Sequence, residues 1–286
     1  MVYGVLRFIN FAHSDVFMVG AFVGFYVAPR VPRESILGGI VCLICAMAVC
    51  ALLGVLIERF AYRPLRASSK LNVLITAIGV SLLLENAGQR LFGANPKAYP
   101  AVFPSKTFEI GGSAPNPAEG EPAQDRQSLV ISSNQLAVLA VTSVLLVALQ
   151  LIVRKTKMGT AMRAVSFNPT AASLVGISND RVISFTFAVG SALAAAGGIL
   201  YASNYPSIDP LMGVLPGLKA FVAAVLGGIG NIPGAALGGF LIGIIETFVN
   251  GSRFSTYTDA IAFAILILIL LFRPAGLLGK LQIEKV

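Results

Sequence analysis

From Ile36 to Ile57 the chain carries no charged residue and no proline. As a helix such a run covers about 30 Å, the thickness of a bilayer's hydrocarbon core, and in lipid only a helix or a closed barrel satisfies every backbone polar group. Comparable runs follow at Leu71–Phe92, Leu129–Val153, Val182–Ala202, Val214–Ile229, Ile232–Val249 and Thr258–Phe272. The first segment, Phe8–Ala28, differs: its uninterrupted apolar part, Val16–Ala28, is too short to span alone. The chain is 56% hydrophobic and 12% charged, about half the charged share of a soluble domain. The fold class expected is all-α: one polytopic transmembrane domain over residues 1–286, with about eight membrane segments, some of them broken or re-entrant.

Charge placement orients the segments. Loop 58–70 holds Arg59, Arg63, Arg66 and Lys70 against Glu58, and loop 154–181 holds Arg154, Lys155, Lys157, Arg163 and Arg181 against Asp180. Both read as cytoplasmic by the positive-inside rule. Loop 93–128 carries Glu109, Glu119, Glu121 and Asp125 against Lys97, Lys106 and Arg126, and loop 203–213 carries only Asp209, so both read as extracytoplasmic. Arg273, Lys280 and Lys285 put the C-terminal tail inside. The net charge of +8 therefore reports topology and contact with anionic membrane lipid, not nucleic acid.

Loop 154–181 holds more than topology. Asn168 suits an N-cap, Pro169 the first helical position and Gly176 the left-handed residue that closes a helix. A capped helix on a basic loop is a docking surface. Elsewhere the sequence leaves alternatives. Val214–Val249 reads equally as a tight helical hairpin or as two re-entrant half-helices beside a pathway, given Pro216, Pro233 and the glycines at 227, 228, 230 and 234. Small-residue pairs Gly20/Gly24, Gly234/Gly238 and Gly239/Gly243 are candidates for close helix packing, with Ala192 and Ala194–Gly198 crowding another span. The intramembrane polar residues Asn10, His13, Asp15, Lys219 and Glu246 are candidates for a translocation pathway or polar lining, with Lys219 and Glu246 placed to pair across 214–249.

Catalytic signatures are missing. The sequence holds no GxxxxGK[ST], HExxH or GxSxG, and GGIGNIPG at 227–234 lacks the third glycine of a dinucleotide fingerprint. Cys42, Cys45 and Cys50 lie inside one apolar run and read as small hydrophobes without a metal partner. No enzyme activity, metal or cofactor is expected, and Asn10, His13 and Asp15 interrupt the opening too early for a secretory signal peptide.

Five separated motifs carry a family resemblance. VYGVLRFINFAHSDVFMVGAF at 2–22, ERFAYRPLR at 58–66, MGTAMRAVSFNPTAASLVGISNDRVI at 158–183, GLKAFVAAVLGGIGNIPGAALGGFLIGIIE at 217–246 and RPAGLLG at 273–279 closely resemble the inner-membrane permeases of branched-chain amino acid ABC importers. The resemblance runs essentially end to end. It implies an all-helical permease in the bacterial inner membrane, paired with a second, similar permease subunit, two cytoplasmic ATP-binding subunits and a periplasmic solute-binding protein. It maps the ATPase-coupling helix onto Met158–Ile177, with Gly159, Arg163, Asn168, Pro169, Ala171, Ala172 and Gly176 at matching positions. Two departures stand out. A further transmembrane segment normally precedes VYG, which points to a late start or truncation, and Ser14 replaces the usual glycine of the first motif. The solute implied is a branched-chain or other hydrophobic amino acid; urea or a short amide is the alternative within the family. Outside it, the rivals are an ion-driven transporter acting alone, which would need more midplane acids than Asp15 and Glu246, and a membrane scaffold without transport.

Overall fold

The computed structural model describes residues 10–66, 68–104, 106–110, 129–273 and 275–279. Residues 2–9 of the first motif, the acids Glu119, Glu121 and Asp125, and Arg126, Lys280 and Lys285 lie outside the described residues.

Ten helices dominate the described residues: α1 (His13–Val27), α2 (Ile36–Ile57), α3 (Lys70–Phe92), α4 (Ser133–Lys155), α5 (Lys157–Phe167), α6 (Pro169–Leu174), α7 (Asn179–Asn204), α8 (Val214–Gly227), α9 (Ile232–Asn250) and α10 (Thr258–Phe272). Five of the described helical stretches, those built on α2, α3, α4, α7 and α9, are long and apolar enough to cross a membrane. Local chemistry sets their starts. Ser35 accepts from the Gly38 N–H at 2.9 Å, Ser69 from Asn72 at 3.4 Å and Asn231 from Gly234 at 3.3 Å. Ser132 and Gln135 form a reciprocal capping box on α4. That cap corrects one expected boundary: Leu129–Ser132 is not helical but a strand, and the helix starts at Ser133. α8 has 14 residues, about 21 Å of helix, which is too short to cross the hydrocarbon core. α9, with 19 residues, is long enough, so the region matches neither a pair of crossing helices nor a pair of half-helices.

α7 is the central element and packs on both α1 and α2. Small residues set the close approach: a Cβ on Gly20 would strike the Ala195 backbone, one on Gly198 the Phe17 carbonyl, and one on Gly54 the Ser191 side chain. Without a hydrophobic drive between helices in lipid, such contact depends on packing alone. Met18, Phe22, Cys42, Ala46, Cys50, Ala195 and Ile199 fill the seam and are fully buried.

The connections sort to two ends. Lys97–Ala98 (β1), after α3, pairs antiparallel with Ser207–Ile208 (β4), after α7. Thr107–Ile110 (β2) pairs with Leu129–Ser132 (β3). Tyr99 and Phe103 plug the same end, lying against Gly24 of α1 and Gly39 of α2. At the opposite end the loop after α2 meets the start of α7 through ion pairs of Arg63 and Arg66 with Asp180. The two basic loops thus share one end of the bundle, and the acid-bearing connections share the other.

Candidate functional site

The basic loop folds into two helices where the sequence signals marked one. Thr156 breaks the chain after α4 and accepts from the Gly159 N–H at 3.0 Å, starting α5. Thr156 was legible as an N-cap residue type, but the apolar run on its N-terminal side masks the boundary. Asn168 then ends α5 and begins α6, its Oδ1 accepting from the Ala171 N–H at 3.0 Å with Pro169 at the first position. Gly176, at φ +86°, closes α6. The Ile177 N–H donates to the Ala172 carbonyl at 3.0 Å and Ile177 packs back on Ala172, which is the Schellman arrangement.

The loop has a core of its own. Met162, Val165, Ala172 and Val182 are buried together, with Met158, Ala161, Ile177 and Phe185 around them. Gly159 is buried because the Ile152 and Val153 carbonyls leave no room for a side chain. Arg163 donates to the Val153 carbonyl and, at 3.2 Å, to the Thr160 hydroxyl, so it caps the end of α4. Ala171 is exposed on α6. Outward stand three large apolar side chains: Phe167 at 87% exposed, Leu174 at 84% and Val175 at 76%.

Beside this loop lies a charged knot. α2 ends in a π-helical turn, Glu58–Tyr62, which turns both Glu58 and Tyr62 inward. Glu58 is fully buried and binds Arg66 and, at 2.5 Å, the Ser184 hydroxyl of α7. Arg66 also pairs with Asp180 at 2.5 Å, and Arg63 pairs with the same carboxylate. Burial pulls the Arg66 guanidinium below its ordinary pKa and Asp180 pushes it back up; it stays charged at neutral pH. The Tyr62 hydroxyl donates to Asn10 at 2.6 Å, and its ring lies 5.3 Å from that of Phe187.

The intramembrane candidates separate into two groups. Asn10, His13 and Asp15 lie at the start of α1; Asp15 is buried and accepts from Ser81 of α3 at 2.5 Å. Ser14 meets α8 directly, since Cβ atoms on Gly213 or Gly217 would collide with it. Lys219 and Glu246 do pair, at 2.9 Å, and the sequence missed their third member: Asp259 of α10 lies 2.7 Å from Lys219. Lys219 and Glu246 border a 210 Å³ recess lined also by Ala220, Ala223, Gly239, Ile242 and Gly243. The packing glycines divide accordingly. Gly20, Gly24, Gly234 and Gly238 make close contacts, whereas a Cβ on Gly239 would meet only the Ala223 side chain at 3.8 Å and one on Gly243 nothing within 4 Å. Those two open the recess instead of closing a helix pair.

The segment 273–279 has a structural task as well. α8 ends with the Leu226 and Gly227 carbonyls unpaired within the helix, and the Leu277 and Leu278 N–H groups bind them at 2.8 and 3.1 Å. Asn231 Nδ2 donates to the Leu278 carbonyl at 2.9 Å. Gly276 at φ +76° and Gly228 at φ +104° allow the two backbones to meet.

Five helices long and apolar enough to cross a membrane, with a folded basic loop at one end, are the build of a multi-pass membrane protein. The family described as "Branched-chain amino acid transport system / permease component" matches residues 1–270, and the chain belongs to it. Among curated relatives, the high-affinity branched-chain amino acid transport system permease protein BraD of Pseudomonas aeruginosa is 39% identical over all of this chain and 91% of its own length. The corresponding permease LivH of Escherichia coli K12 is 39% identical over all of this chain and 90% of its own. Likeness also reaches the ribose import permease RbsC of Haemophilus influenzae, 32% identical over 41% of this chain and 38% of that one. No solved structure matches.

Proposed function

We propose that this permease carries branched-chain amino acids inward across the bacterial inner membrane, driven by a separate cytoplasmic ATPase that docks on residues 154–181. The solute is read from the names of the full-length relatives BraD and LivH. The exposure of Phe167, Leu174 and Val175 on a loop rich in Lys and Arg carries the docking assignment. An ATPase docked there would cover these water-exposed apolar side chains, and the positive-inside rule puts the loop on the cytoplasmic side. A second permease of similar fold and a periplasmic binding protein complete the assembly. Asn10, His13, Asp15, Lys219 and Glu246 line the route or brace it, and the recess beside Lys219 and Glu246 is a candidate part of it.

The test is co-purification. The double variant Phe167→Ser, Leu174→Ser leaves the loop core and caps intact. It is expected to release the ATPase subunits and abolish leucine uptake in proteoliposomes while the permease pair still purifies. Full ATPase retention and uptake in that variant would reject the docking surface.

A further inference from the structure

The charged knot between the loop and the membrane helices does more than neutralise its members. Asp180 sits in the first turn of α7, immediately after the folded loop, and Asn179 beside it donates to the Pro169 carbonyl at 3.0 Å. Asp180 holds Arg63 and Arg66, Arg66 holds Glu58 at the end of α2, and Glu58 accepts from Ser184 one turn further along α7. The chain of contacts therefore runs from the start of α6 to two of the principal membrane helices without a gap. Its inner end is fixed: Glu58 is fully buried, so moving Arg66 away would leave a carboxylate uncompensated. Its outer end is free to be pushed, with the Asp180 side chain 46% exposed. The π-helical turn at Glu58–Tyr62 adds a joint in α2 where a load applied through Arg66 arrives.

We infer that Asp180 and Arg66 are positioning residues that carry displacement of the docking loop into α2 and α7, through the juxtaposition Asp180–Arg66–Glu58. The inference rests on residues 154–181 being the ATPase-docking loop. A push on α6 moves Asn179 and Asp180, and the bridged guanidinium passes it to the end of α2. Because α2 and α7 are also packed through Gly54 and Ser191 deeper in the bundle, the two helices move as one lever, not past each other.

The experiment uses the complete transporter in proteoliposomes with binding protein and leucine, and compares wild type with Asp180→Asn and Asp180→Glu. Three quantities are read: ATPase subunit retained, ATP hydrolysed and leucine taken up per ATP. In Asp180→Asn the ATPase is expected to stay bound and hydrolyse ATP, while uptake per ATP falls about fivefold, within the range by which coupling residues shift an equilibrium. Asp180→Glu is expected to restore most of the ratio. Wild-type uptake per ATP in Asp180→Asn overturns the inference. So does loss of ATPase retention in that variant, since Asp180 would then build the docking surface. Failure of the wild-type ATPase to associate overturns the docking assignment itself, a different outcome from either.

Discussion

At single positions, glycine decides how near the helices come. Gly20 faces the Ala195 backbone and Gly54 faces Ser191, both on α7. Gly20→Leu forces an added side chain into a seam already filled by Met18, Phe22 and Ile199, and overpacking of this kind costs about 1–3 kcal/mol. A lower melting temperature of the detergent-solubilised permease is the expected outcome, and Gly243→Ala, which would meet nothing within 4 Å, is the silent control. These glycines were partly legible. A GxxxG pair such as Gly20/Gly24 names residues that can pack closely, but the spacing is the same for Gly239/Gly243, which do not. What separates them is the neighbour across the gap, and a single sequence does not contain it.

Among elements, the caps carried most of the readable information. Asn168, Pro169 and Gly176 bound α6 as their chemistry requires, because capping is local: donor and acceptor lie within a few residues. Among long-range partners, Lys219 with Glu246 was readable, because the two lie on consecutive apolar segments, and the others were not. Asp180 with Arg66, and Asp259 with Lys219, join charges from different elements, and nothing local distinguishes a paired Asp180 from a solvated one. The strand at Leu129–Ser132 escaped for a related reason, since an apolar residue run fits a helix or a strand until its pairing partner at Thr107–Ile110 is known. Asn231 serves two elements at once, capping α9 and holding the Leu278 carbonyl. Asn231→Ala removes the cap and is expected to cost about 1 kcal/mol. Faster amide hydrogen exchange at Gly234 and Ala235, with α7 unchanged, is the readout; unaltered exchange in the first turn of α9 would show that the cap contributes nothing.

At the scale of the molecule, the described residues form two bodies of packing. α1, α2 and α7 share the main buried cluster, while Val222, Ala223, Ile242 and Ala262 form a separate one among α8, α9 and α10. Ser14 against Gly213 and Gly217 is where α1 touches α8. The triad of Lys219, Glu246 and Asp259 belongs to the second body, and its recess needs water or protein over it, because charges in hydrocarbon are costly. Glu246→Gln leaves Lys219 paired with Asp259, so the fold is expected to survive. Leucine uptake should drop severalfold while ATPase association is kept; uptake at the wild-type rate would remove the recess from the route.

The backbone bonds from Leu277 and Leu278 to the end of α8 also set an order of events. The carbonyls of Leu226 and Gly227 wait for partners made about fifty residues later in the chain. The α1–α7 body can close while synthesis continues. The turn between α8 and α9 cannot, and until Leu277 and Leu278 arrive it exposes unpaired carbonyls. A nascent chain stopped before Leu277 therefore holds a packed α1–α7 body and an unsealed turn between α8 and α9.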